Sequence, residues 1–160
     1  MRFEHLVQIN DPLQPPATAV SRAQLWRGLA RRAERPAEFV LGLASATIEQ
    51  RLQEAGQLRL VRTLDFGSFR VRDRVLLDAG GVSVTEVEAA AAYPASRLTI
   101  RIEEPAAGDL FLRFTYESGE APAGGELDAL AQRLREQAYR RADFDTVRRI
   151  RDLAGRGELG

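Results

Sequence analysis

The stretch LRLVRTLDFGSFRVRDRVLLD, residues 58–78, decides the fold of this chain. Apolar side chains recur at almost every second position on both sides of Gly67 and Ser68, as in two half-buried strands joined by a two-residue hairpin turn. Such a turn sets the register, so Asp65 is expected to lie opposite Arg70 on the polar face. The stretch therefore predicts an antiparallel hairpin with one polar face and one mostly apolar face.

The same alternation extends over most of the chain and predicts a curved antiparallel sheet of seven strands. Glycine or proline turn signals separate the segments about every ten residues, as in a meander. We place the strands at residues 2–10, 44–54, 58–66, 69–78, 82–91, 96–103 and 110–117. A three-residue turn after the hairpin would set Arg72 opposite Glu88 and Arg74 opposite Glu86. Opposite charges at both positions favour this register, because like charges there would repel.

Helical segments complete the pattern. Ser21 and Gln24 form a capping-box sequence ahead of a first helix, and Pro36 is expected to begin a short second one. A long helix is predicted over residues 126–154, with a change of phase near Asp143. Its two apolar stripes comprise Leu127, Leu130, Leu134 and Ala138, then Phe144, Val147, Ile150 and Ala154. The order β-α-α-β6-α predicts an α+β fold with the helices packed on one face of the sheet.

The composition excludes several kinds of chemistry. There is no cysteine, and His5 is the single histidine, so thiolate catalysis and multi-histidine metal sites are excluded. Every basic residue is an arginine, which removes Schiff-base lysines and the phosphate-loop lysine. We therefore predict no metal and no cofactor. The formal net charge of zero argues against a nucleic-acid partner.

The length of 160 residues suits one domain spanning residues 1–160. No apolar run approaches the roughly 20 residues that cross a bilayer, and the first residues alternate instead of forming a signal-peptide core. We therefore expect no membrane span and a cytoplasmic protein. A homodimer is left open.

Five segments together resemble a known family: FEHLVQINDP, LWRGL, RRAERPAEFV, FGSFRVRDRV and ADFDTVRRIRDLA. The chain is similar, over roughly residues 2–155, to the uncharacterised AtaL-like family of the START-like, polyketide-cyclase and birch-pollen-allergen (SRPBCC) superfamily. The resemblance implies a helix-grip fold, in which the sheet wraps around the long C-terminal helix and leaves an internal cavity. It also implies a lipid, sterol, hormone or polyketide ligand, and in some relatives cyclisation or dehydration. It carries over no catalytic residues.

One polar row interrupts the face of the sheet that is expected to be buried. The hairpin register sets Arg62 opposite Asp73, and a three-residue turn around Gly56 would bring Gln50 beside Arg62. Because an uncompensated buried charge costs several kcal/mol, these groups should pair or contact trapped water. The row could bind the polar end of a ligand or transfer a proton; the alternative is a structural ion pair.

Further candidates lie on the same face. His5 could act as a base or donor, or it could be a core histidine that is hydrogen-bonded to a neighbouring backbone group. Tyr116 and Tyr139 could direct their hydroxyls into the cavity, or only fill space. The fifth strand carries only small inward residues, which suggests space left unfilled: Ser83, Thr85, Ala89 and Ala91.

These residues support three hypotheses about function. The first is a protein that binds a hydrophobic small molecule (a lipid, polyketide or aromatic metabolite), with a ligand-binding set of Gln50, Arg62, Asp73, Thr85, Tyr116 and Tyr139. The second is a cofactor-independent lyase, cyclase or hydratase, with Asp73 and His5 as catalytic candidates beside Arg62. The third is a protein-interaction or stress-response module. The sequence leaves catalysis undecided.

Overall fold

The elements of the chain follow the predicted order. The computed structural model describes residues 1–11, 13, 15, 18–91, 93–119 and 125–160. The elements are β1 (Arg2–Gln8), α1 (Arg22–Glu34), a short 3-10 helix (Pro36–Glu38), β2 (Ser45–Glu54), β3 (Gln57–Asp65), β4 (Arg70–Asp78), β5 (Val82–Val87), β6 (Ser96–Ala106), β7 (Asp109–Ser118) and α2 (Glu126–Gly155). The α+β helix-grip fold is confirmed.

Within these residues, seven strands form one curved antiparallel sheet in the order β1-β7-β6-β5-β4-β3-β2. The hairpin between β3 and β4 has the predicted two-residue turn, with Asp65 paired to Arg70 and Arg62 paired to Asp73. The first strand, β1, pairs with the last strand, β7, and forms one edge of the sheet. The alternation of the sequence therefore identified both the hairpin register and the buried face.

The outer face of the sheet is polar, but its ion pairs differ from the predicted ones. Arg74 pairs with Glu86 in the strand register, whereas its guanidinium contacts Glu88 at 3.0 Å. The pairing of β4 with β5 ends before Arg72, whose guanidinium lies 3.2 Å from Glu49 on β2 instead. Long side chains reach diagonal neighbours as easily as the residue directly opposite. Register alone thus did not determine the contacts.

Two strands end three or more residues away from their predicted ends. The fifth strand ends at Val87 instead of residue 91, and Ala89 and Ala91 are exposed, so only Ser83 and Thr85 keep the predicted inward position. Alanine has low strand propensity, and no bulky side chain there holds the run to the sheet. Strand β6 continues to Ala106, beyond the predicted residue 103.

The turn between β2 and β3 corrects the prediction for Gln50. The turn has two residues, Ala55 with φ 43° and Gly56 with φ 78°, and this pair of positive values is typical of a type I′ hairpin. With this turn Gln50 pairs with Val61 and is exposed, and a bulge between Ile48 and Gln50 then sets Ile48 opposite Arg62. Gln50 is therefore not beside Arg62.

The apolar core lies where α1 and the second half of α2 cross the sheet. Leu25 and Leu29 of α1 pack with Ile150 of α2 and with the inward residues of β1, β6 and β7. The two helices approach closely at Gly28, where a Cβ atom would lie 2.8 Å from two side-chain carbons of Ile150. Trp26 packs against this core and against a smaller cluster on β3 and β4. The Ser21 capping box that starts α1 is present, as predicted.

The first half of α2 does not pack as the apolar stripes predicted. Leu127 is 83% exposed and Leu134 is 57% exposed, whereas the second half buries Asp143, Val147 and Ile150. The helix is thus held to the body by its C-terminal half. No helix in the described part of the chain is long and apolar enough to cross a membrane.

Candidate functional site

A cavity of about 700 Å³ lies between the inner face of β3–β6 and the first half of α2. Its walls are mostly apolar and include Leu64, Val71, Val87, Leu98, Tyr93 and Pro94. The helix contributes Arg135 and Tyr139, and the half-exposed Phe69 lies at the solvent side. The cavity lies beside the half of α2 whose leucines Leu127 and Leu134 are largely exposed, and the short side chain of Thr85 forms part of its wall.

The inner end of the cavity carries the ion pair that the hairpin register predicted. Arg62 is 4% exposed and Asp73 is 2% exposed. The Arg62 Nε donates to Asp73 Oδ1 at 2.9 Å, and its Nη2 donates to Oδ2 at 2.6 Å. The third donor, Nη1, bonds the carbonyl of Ala33 at 2.7 Å and so ties α1 to the sheet. Bidentate pairing of this kind satisfies both buried charges.

Arg32 is a third charged residue of the cavity, which the sequence analysis missed. Its Nε is buried and has no hydrogen-bond partner among the described residues. Burial lowers the pKa of the Arg32 guanidinium from its usual value, and the neighbouring charge of Arg62 adds to this. A signal was present, because Arg32 follows Leu25 by seven positions and Leu29 by three, on the helix face that packs inward.

A second polar cluster lies beside the cavity and joins α2 to the sheet. The Nδ1 of His5 lies 3.0 Å from Oδ2 of Asp143, and the Tyr116 hydroxyl donates to Oδ1 of the same carboxylate. Burial raises the pKa of Asp143 to about 6, although its bonds to Tyr116 and His5 oppose the shift. Burial, reinforced by the charge of Asp143, also raises the pKa of Tyr116. The backbone partner expected for His5 is therefore wrong, because its partner is a carboxylate.

The predicted ligand-binding residues lie in three places: the cavity lining, the Asp143 cluster and the outer face of the sheet. Thr85 and Tyr139 line the cavity, together with the Arg62–Asp73 pair. The Tyr116 ring stacks on Tyr139 with 3.9 Å between ring centroids, but the Tyr116 hydroxyl is directed at Asp143 and the residue does not line the cavity. Gln50 lies on the outer face, for the register reason given above. Of the two catalytic candidates, Asp73 lines the cavity and His5 does not.

No metal site is formed by the residues that the structure describes, since no three His, Asp or Glu side chains among them come together to hold an ion. The charged groups that line the cavity are mainly guanidinium groups. A guanidinium is a hydrogen-bond donor without an acceptor and binds oxyanions rather than cations.

The family follows from the sequence match. The model of the family described as AtaL, acetylaranotin biosynthesis cluster protein L, matches residues 7–157. The chain belongs to the AtaL family. No curated protein matches this AtaL-family sequence. Solved structures that share the fold of this AtaL protein include aromatase/cyclases and a START superfamily protein.

Three of those structures illustrate the likeness. The ZhuI aromatase/cyclase from Streptomyces sp. R1128 is 18% identical, with a TM-score of 0.61 over 98% of this AtaL chain and 94% of its own. A START superfamily protein from Mycobacterium smegmatis is 13% identical, with a TM-score of 0.58 over 95% and 98% of the two chains. The di-domain aromatase/cyclase StfQ of the steffimycin biosynthetic pathway is 13% identical, with a TM-score of 0.64 over 98% of this chain and 52% of StfQ. At these identities the likeness shows the fold alone.

Proposed function

We propose that this protein binds a hydrophobic small molecule, of the lipid, polyketide or aromatic-metabolite class, in the cavity between the sheet and α2. The observation that carries the proposal is the cavity of about 700 Å³ with apolar walls and a few charged groups at its inner end. Pockets for small molecules commonly have volumes of roughly 300–1,000 Å³ and this combination of walls and polar groups.

The position of the charges supports one orientation of the ligand. Arg62 and Asp73 are buried in the cavity lining beside the half-buried Arg32, whereas Phe69, also in the lining, is more than half exposed. A ligand with one polar end would direct that end toward these charged side chains, where it finds hydrogen-bond partners. The opposite orientation would bury apolar atoms against unpaired charges, which costs more free energy than leaving an apolar group partly exposed to solvent. Thr85 and Tyr139 also line the cavity.

The comparisons support the ligand class by analogy. ZhuI and StfQ are described as aromatase/cyclases, and the Mycobacterium smegmatis protein as a START superfamily member. Fold analogy raises the expectation of a polyketide, aromatic or lipid ligand, but it does not transfer an activity. A catalytic role for Asp73 or His5 stays a prediction, as do a homodimer, a cytoplasmic location and a protein-interaction role. His5 is outside the cavity lining, and both Asp73 oxygens are engaged by Arg62.

The experiment uses a variant that fills the cavity. Thr85→Phe places an aromatic ring in the lining, whereas Thr99→Phe makes the same change on the outer face, at a residue that does not line the cavity. Both variants should fold. Native mass spectrometry of purified protein and thermal-shift titration with fatty acids and aromatic polyketides should show binding for wild type and Thr99→Phe. Thr85→Phe should bind at least about tenfold more weakly, a difference of about 1.4 kcal/mol.

Two outcomes would count against the proposal. One is an absence of bound molecules and of thermal shifts across the panel for the wild type. The other is unchanged affinity in Thr85→Phe, which would place the ligand elsewhere.

A further inference from the structure

The starting observation is Arg32, a half-buried arginine that forms no direct ion pair with a carboxylate among the described residues. The Nε of Arg32 has no hydrogen-bond partner among the described residues, and the side chain lines the cavity. Leaving a charge unpaired in an apolar interior is unfavourable, so such groups in proteins are normally paired with an opposite charge.

The two carboxylates whose charges act on Arg32, those of Asp73 and Asp143, already have other hydrogen-bond partners. Both oxygens of Asp73 accept hydrogen bonds from Arg62. Both oxygens of Asp143 are in contact with other side chains, one with the Tyr116 hydroxyl and one with His5. The described residues therefore leave the Arg32 Nε available to a molecule that enters the cavity.

The charge of the cavity points the same way. In its lining Arg62 and Asp73 neutralise each other, so Arg32 adds a positive charge that no described carboxylate pairs with directly. The whole chain has a formal net charge of zero, so this positive charge is a local feature. A cleft with one sign of charge and low-dielectric walls attracts ligands of the opposite sign.

We propose that the ligand carries an anionic oxygen, a carboxylate or an ionised phenol or enol, and that Arg32 binds this oxygen at the enclosed end of the cavity. The inference rests on the proposed function and specifies the ligand class within it. A guanidinium binds oxyanions through its N–H donors, and the Nε of Arg32 is such a donor without a protein partner among the described residues. Neutral lipids such as sterols or alcohols would leave Arg32 unpaired.

The test compares two fluorescent probes that share an aromatic frame and differ in charge: anilinonaphthalene sulfonate, which is anionic, and N-phenylnaphthylamine, which is neutral. Wild type is expected to bind both probes. Arg32→Gln should bind the anionic probe about tenfold to hundredfold more weakly, the value of one charge-assisted hydrogen bond, and the neutral probe unchanged within about threefold. The matched control is Arg148→Gln on the exposed side of α2, where the arginine side chain is 79% exposed; it should change neither affinity.

A competition series then identifies the kind of oxygen. Dodecanoate and dinitronaphtholate represent the carboxylate and the ionised phenol, and dodecanol is the neutral counterpart of dodecanoate. Displacement of the anionic probe by either anion more readily than by dodecanol, in wild type but not in Arg32→Gln, would support the proposal. Equal displacement by dodecanoate and dodecanol in the wild type would overturn it.

The outcomes separate this inference from the proposed function. If wild type binds neither probe, the cavity proposal itself fails. If wild type binds both and Arg32→Gln keeps its affinity for the anion, only the role of Arg32 fails. Arg32→Gln and Arg32→Met are both expected to fold, because the Nε has no protein partner to lose. Loss of the fold, or of both probes, in the two variants would assign Arg32 a structural role and overturn the proposal.

Discussion

Replacing Asp73 with asparagine is expected to destabilise the protein more than any surface substitution of the same chemistry. Asp73 is 2% exposed and accepts two hydrogen bonds from Arg62, at 2.9 and 2.6 Å. In Asp73→Asn the amide nitrogen would face the guanidinium donors, and the Arg62 charge would remain buried without its counter-ion. Arg32, also cationic, lies in the same lining and would add repulsion.

The expected magnitude follows from the burial of the pair. Removing one partner of a buried ion pair costs about 3–5 kcal/mol in the free energy of unfolding. For a chain of this size each kcal/mol lowers the melting temperature by about 2–4 °C, which predicts a drop of roughly 6–20 °C. The measurement is urea unfolding followed by circular dichroism and by the fluorescence of Trp26.

Two further variants test the reasoning. The double variant Arg62→Met/Asp73→Leu removes both charges and should lie within about 1–2 kcal/mol of wild type, the loss coming mainly from the Arg62 bond to the Ala33 carbonyl. Glu86→Gln, in an outer-face pair with Arg97 whose side chains are both half exposed, should cost less than about 1 kcal/mol. A loss below about 1 kcal/mol in Asp73→Asn, or a double variant less stable than the single one, would refute the argument.

Two more predictions concern the helix–sheet and helix–helix contacts. Asp143 has a pKa of about 6 in the folded protein, against 3.8 for an ordinary aspartate, so in the folded state it stays protonated up to a higher pH. Its contribution to the free energy of unfolding should therefore fall by about 3 kcal/mol as pH rises from about 4 to about 6, and then stay level. Urea unfolding of wild type minus Asp143→Asn, measured across this pH range, should show that fall; a difference independent of pH would contradict it. Gly28→Ala should lower the free energy of unfolding by about 1–2 kcal/mol, because its Cβ would overlap Ile150. Ile150→Ala removes both of the overlapping carbons, so it should cost less in the Gly28→Ala chain than in wild type, and calorimetry showing additive losses would contradict the contact.

Much of the sheet could be predicted because strand register is a local property. Alternation with period two and the turn at Gly67 were sufficient to place Arg62 opposite Asp73 on the buried face. Where the local signal was weak, the prediction was wrong. An alanine rarely adopts the positive φ of 43° that Ala55 has in the β2–β3 turn, so the residues of this turn did not indicate a two-residue hairpin. The longer turn expected there led to the wrong prediction that Gln50 lies on the inner face.

The polar residues of the helices could not be placed in the same way. The apolar stripe of α2 indicated that Phe144 would face inward, yet Phe144 is 50% exposed and Asp143 beside it is 1% exposed. Rotation of a helix about its axis is decided by the surface on which it packs. Here the His5 ring and the Tyr116 hydroxyl offer hydrogen-bond partners for a carboxylate; His5 lies on β1, 138 residues away in sequence, and Tyr116 lies on β7, 27 residues away.

By itself, the sequence determined the element order, the strand register around Gly67 and the burial of Arg62 with Asp73, because each depends on neighbouring residues and on the two-residue period of a strand. Only the tertiary structure decided that Asp143 joins His5 and that Arg32 faces the cavity without a partner. Those facts depend on where two helices lie relative to the sheet, which is set by packing between segments more than a hundred residues apart.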